Sequence, residues 1–167
     1  MRVPIALVLA LVVGAGVPAS SMDVVRLGFD DIVDRAACIV HGTVREVAPG
    51  RDADGIPATW ITLDVAECLK GHAGRSLTIK QLGVPEPLPD GTLLRVPGIP
   101  RYRAGDEVVV FLHEPSGRGF TSSVGLGQGL YRAEPAAKGR AVRSAMATGA
   151  PEDLAAFLAR VRRRANP

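Results

Sequence analysis

The chain has 167 residues, with 20 Lys and Arg against 17 Asp and Glu, and only 4% of its residues are aromatic. This nearly balanced charge, with so few aromatic side chains, excludes the basic and aromatic groove that single-strand nucleic-acid binders use. We therefore expect no nucleic-acid partner. The length is enough for one domain with one hydrophobic core.

Residues 1–19 have the pattern of a secretory signal peptide. Arg2 precedes an apolar run over 3–17, and Val17 and Ala19 stand three residues and one residue before a cleavage point. The run is shorter than the roughly 20 apolar residues that a membrane-spanning helix needs. We therefore expect an exported protein, periplasmic or extracellular, that begins at Ser20 and has no transmembrane segment after cleavage.

The rest of the chain predicts a short helix, a series of strands and a final helix. Residues 27–36 carry Asp30 and Asp31, which favour the start of a helix. Period-two and β-branched patterns predict five strands, over 38–47, 59–66, 76–82, 107–113 and 119–124, the last resuming at 130–132 after several glycines.

Two loops and a second helix complete the pattern. Residues 48–57 and 83–100 are predicted loops, and the second contains five prolines and three glycines. Residues 151–153 open a helix in which apolar residues recur at helical spacing, namely Leu154, Phe157, Leu158 and Val161.

Five strands, one of them bent at glycines, favour a mainly β fold: a small, partly open barrel of the OB type. A β-sandwich usually has about seven strands. We therefore expect residues 20–134 to form an OB-like barrel domain. Residues 135–167 then form a linker and an amphipathic C-terminal helix.

Four segments carry a resemblance to known proteins, and they read DRAACIVHGTVREV, TWITLDVAECLKG, RYRAGDEVVVFLHE and VGLGQGLYR. Over roughly residues 27–133 they resemble a family of uncharacterised exported bacterial proteins. Their strand order and Lys-Gly dipeptide are also similar to the netrin-like barrel of the tissue inhibitors of metalloproteinases. This second resemblance implies an OB-type barrel and a secreted protease as the partner.

The inhibitors' mechanism does not carry over to this chain. Those proteins bind the protease zinc through the amine and carbonyl of an N-terminal cysteine, whereas the expected first residue here is Ser20. Neither Cys38 nor Cys68 lies near that end. Any binding to a protease would need different chemistry.

Cys38 and Cys68 are the two cysteines, and we expect a disulfide between them because the exported compartment is oxidising. If Val47 lies opposite Thr59, the two cysteines face each other on adjacent strands. A register that pairs Val40 and Val44 with Ile61 and Val65 instead places the cysteines on opposite faces. A bulge near residues 66–67 would reconcile the two registers, and two free thiols are the alternative.

The histidines, carboxylates and serines form no motif that predicts a metal, a cofactor or catalysis. His41, His72 and His113 lack metal-ligand spacing, and Ser122 and Ser123 lack the nucleophile elbow of a serine hydrolase. The glycines at 125, 127 and 129 lie between strand segments rather than at the start of a helix, so they predict no phosphate site.

We therefore expect a non-catalytic binding or accessory module with a protein partner. Arg101 and Tyr102, at the end of the long loop, are candidate partner-binding residues, together with the C-terminal cations Arg160, Arg162, Arg163 and Arg164. One alternative is a small hydrolase in which His41 or His113 meets Asp64 or Glu107 near residues 83–100. A structural envelope protein is the other alternative.

Overall fold

A computed structural model describes residues 25–146 and 149–166. The predicted signal peptide and cleavage point lie outside these residues. The elements, in chain order, are α1 (Phe29–Arg35), β1 (Cys38–Arg51), β2 (Pro57–Lys70), β3 (Ser76–Leu82), β4 (Glu107–Leu112), a 3-10 turn (Leu126–Gly129), β5 (Leu130–Pro135), β6 (Arg140–Ser144), β7 (Glu152–Asp153) and α2 (Leu154–Ala165). Neither described helix has the length and apolar character needed to cross a bilayer.

The described strands form one open antiparallel sheet in the order β3-β2-β1-β4-β5-β6-β7. The mainly β prediction is confirmed, but the described residues contain seven strands rather than five. Residues 119–124, predicted as a strand, are not part of the sheet. They touch it through two isolated bridges, from Phe120 to Lys80 of β3 and from Ser123 to Leu112 of β4.

The β1–β2 hairpin is longer than predicted and replaces half of the predicted loop over 48–57, which leaves a turn over 52–56. Its turn forms because the Asp52 carboxylate accepts hydrogen bonds from the backbone N–H groups of Asp54 and Ile56. Pro49 is tolerated because it lies opposite Thr59. The Pro57 carbonyl accepts a hydrogen bond from Gly83 N–H, so the backbone polar groups of Pro57 point toward β3. Those of Thr59, two residues later, point the same way. Thr59 therefore needs no hydrogen bond from β1, and the missing N–H of Pro49 costs nothing there.

Residues 108–112 of β4 form the centre of the core, as their apolar pattern predicts, and all are at most 2% exposed. Because side chains alternate across a strand, Val109 and Phe111 face the two helices, whereas Val108 and Val110 pack on the opposite face. On the helix side, Phe111 packs beside an aromatic cluster that consists of Phe29, Tyr131 and Phe157.

The second helix begins where its sequence predicts. Asp153 caps it by accepting a hydrogen bond of 2.9 Å from the backbone N–H of Ala156. Three of its four predicted apolar positions are buried, namely Phe157, Leu158 and Val161, and Leu154 packs against the same cluster. Burial of this stripe explains why the helix docks on the sheet.

Candidate functional site

The long loop between β3 and β4 forms the wall of a cleft with a volume of about 320 Å³, called the loop cleft below. The loop contains no helix or strand, as its prolines and glycines predict. The walls of the cleft come from residues 82–85 and 94–102, and its base comes from the sheet. The sheet residues that line it are Val47, Thr59, Ile61 and Gln81.

Hydrogen bonds to backbone carbonyls fix both walls of the loop cleft to the sheet and to each other. The buried hydroxyl of Thr59 donates to the Gly83 carbonyl at 2.7 Å, and Val84 N–H donates to the Leu94 carbonyl at 2.9 Å. At the other end, the Gln81 side-chain amide donates to the Pro100 carbonyl at 3.0 Å. The cleft is therefore formed without a ligand, which lowers the entropy cost of binding.

Both predicted partner-binding residues of this loop line the cleft, but they differ in exposure. Tyr102 is only 8% exposed, and burial raises the pKa of its phenol well above the ordinary value. It forms the buried end of the wall over 94–102. Arg101 is exposed, and its carbonyl accepts a hydrogen bond from the guanidinium of Arg132. Sequence reasoning missed Arg95, which is also exposed and lines the cleft.

A second cleft, with a volume of about 280 Å³, adjoins the loop cleft. The two share Leu82 and Ile99 among their lining residues, and Leu82 is 38% exposed. The second cleft adds Phe120 and Leu126 from the segment that follows β4. An apolar surface therefore continues on both sides of Ile99.

Most of the predicted C-terminal arginines form ion pairs with carboxylates of the same chain. Arg162 binds both carboxylate oxygens of Glu67 on β2, at 2.6 and 2.5 Å, and this contact lowers the pKa of Glu67. Arg164 pairs with Asp34 of α1. These two arginines attach α2 to the rest of the fold.

Arg160 and Arg163 complete this group. Arg160 pairs with Glu152 at 2.5 Å and lies 3.7 Å from the ring centroid of Phe29. Arg163 is exposed and forms no ion pair with any residue in 25–146 or 149–166. A role of Arg163 in partner binding stays a prediction.

His41 and Glu107 do meet, as the hydrolase alternative requires, with 2.8 Å between Nε2 and Oε1. The other oxygen of Glu107 binds Arg140 at 2.5 Å, so the carboxylate is already neutralised. Neither His41 nor Glu107 lines the loop cleft. Asp64 is not part of this contact, and its carboxylate accepts a hydrogen bond from Arg45.

Cys38 and Cys68 are free thiols, so the predicted disulfide is absent from the structure. The expected registers are also wrong, because Val47 lies opposite Ile61, and Cys68 lies opposite Val40 instead of Cys38. A bulge at Ala66 is present as predicted, but further irregularities after Val44 and Ile39 shift the pairing again. The cysteines are therefore diagonal neighbours on the hairpin.

Both thiols converge on the turn that follows β2. The sulfur of Cys68 lies 3.5 Å from the Lys70 carbonyl oxygen, and that of Cys38 lies 4.0 Å from the His72 carbonyl oxygen. Burial raises the pKa of the Cys38 thiol to about 11, and the nearby Cys68 adds to this effect. Cys38 is therefore an unreactive thiol at neutral pH, whereas Cys68 is exposed.

The glycine motif at 125–129 is structural. Gly125 adopts a left-handed conformation, and a side chain at Gly129 would place Cβ 2.6 Å from the Val124 carbonyl oxygen. The Gln128 amide receives a hydrogen bond from Leu27 N–H at 2.9 Å and donates one to the Val25 carbonyl at 3.0 Å. The motif thus ties the N-terminal segment to the sheet.

Among the described residues, no three His, Cys, Asp or Glu side chains are arranged so that they could hold a metal ion. The loop cleft is the candidate site, and its lining combines aliphatic and proline side chains with Arg95 and Arg101. No family model, no curated protein and no solved structure matches this chain.

Proposed function

We propose that this chain is an exported, non-catalytic binding module that holds an extended segment of a partner protein in the loop cleft. The observation that carries the proposal is the construction of the cleft. Its walls are loop segments rich in proline and aliphatic side chains, and hydrogen bonds from Thr59, Val84 and Gln81 fix those walls. Concave, preformed sites that combine aliphatic side chains with a few polar groups are typical of ligand binding.

The partly open five-stranded barrel also belongs to this proposal. Residues 119–124 would be the strand that closes β1–β4 into a barrel. The bridges from Phe120 to Lys80 and from Ser123 to Leu112 support this view, since they connect one segment to both β3 and β4. The loop cleft would then lie beside the closure, where OB-type barrels place their binding loops.

A secreted protease is the partner class that we propose. The support is the resemblance to the netrin-like inhibitors, together with a loop rich in proline at the cleft. Inhibition assays against purified secreted metalloproteases and serine proteases would test this class directly. If none is bound or inhibited, the protease assignment is wrong, and the proposed binding module is judged by the peptide experiment below.

The central experiment selects binding peptides from a displayed random library with purified residues 20–167. We expect Ile99→Asp to lower the affinity for the selected peptides at least about tenfold, because the substitution places a charge on an apolar part of the wall. Leu93→Asp is the matched control, since Leu93 lies in the same loop, is 43% exposed and does not line the cleft. Equal binding by both variants would show that the cleft is not the site.

The hydrolase alternative rests on the contact between His41 and Glu107. It predicts that His41→Gln abolishes hydrolysis of some ester or peptide substrate, whereas Ile99→Asp leaves it intact. The binding module predicts that His41→Gln leaves peptide affinity unchanged. These two variants therefore discriminate the two functions.

A further inference from the structure

The charged residues that line the loop cleft are all cationic. Arg95 and Arg101 line it, and no Asp or Glu is among its lining residues. Neither arginine forms an ion pair with any residue that the structure describes. Both guanidinium groups are thus available at the border of a cleft in which aliphatic side chains alternate with polar groups.

The backbone that carries these arginines is fixed at both positions. Leu94, before Arg95, accepts a hydrogen bond from Val84 N–H at 2.9 Å. Pro100, before Arg101, accepts one from the Gln81 amide at 3.0 Å, and the next residue, Tyr102, is buried. Both arginines are therefore carried on backbone that is held in place at the cleft, so their guanidinium groups stay within reach of a bound segment.

We propose that the partner segment is acidic and apolar: an extended peptide whose aliphatic side chains enter the loop cleft and whose Asp or Glu carboxylates pair with Arg95 and Arg101. This inference rests on the proposed binding function. A carboxylate matches the planar fork of a guanidinium, and the absence of acids in the lining leaves such a carboxylate without a repelling neighbour. Because both arginines are exposed, they contribute selectivity and association rate more than affinity.

The test uses short peptides that are acetylated and amidated, so that only side chains carry charge. Three sets share the same Leu and Val positions and differ in having Glu, Gln or Lys at the remaining positions. Fluorescence anisotropy with residues 20–167 measures each affinity at low and high salt. We expect the Glu peptides to bind about five- to tenfold more tightly than the Gln peptides, with the difference falling as salt is raised.

Variants assign this preference to the two arginines. The double variant with Arg95→Gln and Arg101→Gln should bind Glu and Gln peptides with affinities within about twofold of each other. Arg75→Gln removes the same type of charge at the opposite end of β3 and should retain the preference. Loss of the preference in Arg75→Gln would show that net charge alone attracts the acidic peptides, which would overturn the inference.

The possible failures separate this inference from the proposed function. If all three peptide sets bind equally and Ile99→Asp abolishes their binding, the cleft is a binding site and the acidic partner is wrong. If no peptide of any charge binds, the binding function itself fails. A fourth set, the Gln peptides made with a free C-terminal carboxylate, tests the remaining source of charge. If only this set binds, the carboxylate comes from a chain end, and the proposed acidic side chains are wrong.

Discussion

The ammonium group of Lys80 lies 2.9 Å from the carboxylate of Asp52, and these side chains are only 18% and 5% exposed. The same ammonium donates to the Arg118 carbonyl at 3.0 Å and lies 4.1 Å from the ring centroid of Phe120. The backbone carbonyl of Lys80 accepts a hydrogen bond from Thr121. Lys80 therefore connects the edge strand β3 both to the β1–β2 turn and to the segment after β4.

We expect Lys80→Met to lower the thermal midpoint on the order of 5 °C, because it leaves the little-exposed Asp52 carboxylate without its cation. Circular dichroism or scanning calorimetry measures the midpoint. Lys138→Met is the control, since Lys138 is exposed between β5 and β6. Equal midpoints for the two variants would show that the contact at Lys80 contributes nothing to stability.

Asp52→Asn should reveal the pH dependence of the same contact. The hydrogen bond from Lys80 holds the pKa of Asp52 below its ordinary value, and the N–H groups of Ile56 and Asp54 act in the same direction. The ionised carboxylate therefore adds stability above the unfolded pKa of about 4, and this contribution is lost as pH falls through the lower folded pKa. The difference in thermal midpoint between the wild type and Asp52→Asn should be constant near neutral pH and should become smaller below about pH 4. A gap that widens in acid would contradict this prediction.

Gly129→Ala should lower the free energy of unfolding by about 2–3 kcal/mol. A Cβ at Gly129 would lie 2.6 Å from the Val124 carbonyl oxygen and 3.1 Å from that of Phe111, and backbone atoms cannot move aside cheaply. Gly117→Ala is the control, because its Cβ would meet no heavy atom within 4 Å. Urea titration measures both variants. A Gly129→Ala protein as stable as Gly117→Ala would show that this close approach is relaxed in solution.

Local patterns predicted the main elements of the fold because they depend on neighbouring residues. The start of α2 after Asp153, its apolar stripe and the strand β4 are of this kind. The pattern did not predict β6 and β7, because β6 has only one buried residue, Val142, and β7 has two residues. Both are formed by pairing with an existing edge, which is a tertiary effect.

The register and the site depended on contacts that the sequence does not encode locally. Irregularities after Ile39, His41 and Val44 each shift the β1–β2 pairing, so any register extrapolated from the loop fails within a few residues. Likewise, Glu67 and Arg162 are 95 positions apart, and nothing near Arg162 indicates a partner. The sequence predicted the long loop and singled out Arg101 and Tyr102 at its end. It did not predict the cleft, and only the walls of the cleft show that Arg95 belongs to the same site.

Arg162→Ala should loosen α2 from the sheet while leaving the helix folded. Because Arg162 and Glu67 are 47% and 32% exposed, we expect a stability loss of about 1 kcal/mol or less. The sharper measurement is amide hydrogen exchange, which should rise in residues 154–165. Arg163→Ala, one position away and exposed, is the matched control. Unchanged exchange in Arg162→Ala would mean that the apolar stripe alone holds the helix.

The two cysteines should titrate as two thiols in protein that has been unfolded without reductant, because the structure has both as free thiols. In the folded protein, iodoacetamide should modify Cys68 first, since Cys68 is exposed and burial raises the pKa of Cys38 to about 11. At neutral pH almost no thiolate is then present at Cys38, and the thiolate is the species that reacts. Cys38→Ser should leave the rapid phase of modification unchanged, whereas Cys68→Ser should remove it, and mass spectrometry of peptides assigns each product. A monomer with no titratable thiol when unfolded and unreduced, and with Cys38 and Cys68 in one disulfide-linked peptide pair by mass spectrometry, would instead establish the bridge. It would show that the hairpin moves its diagonal cysteines together in an oxidising compartment.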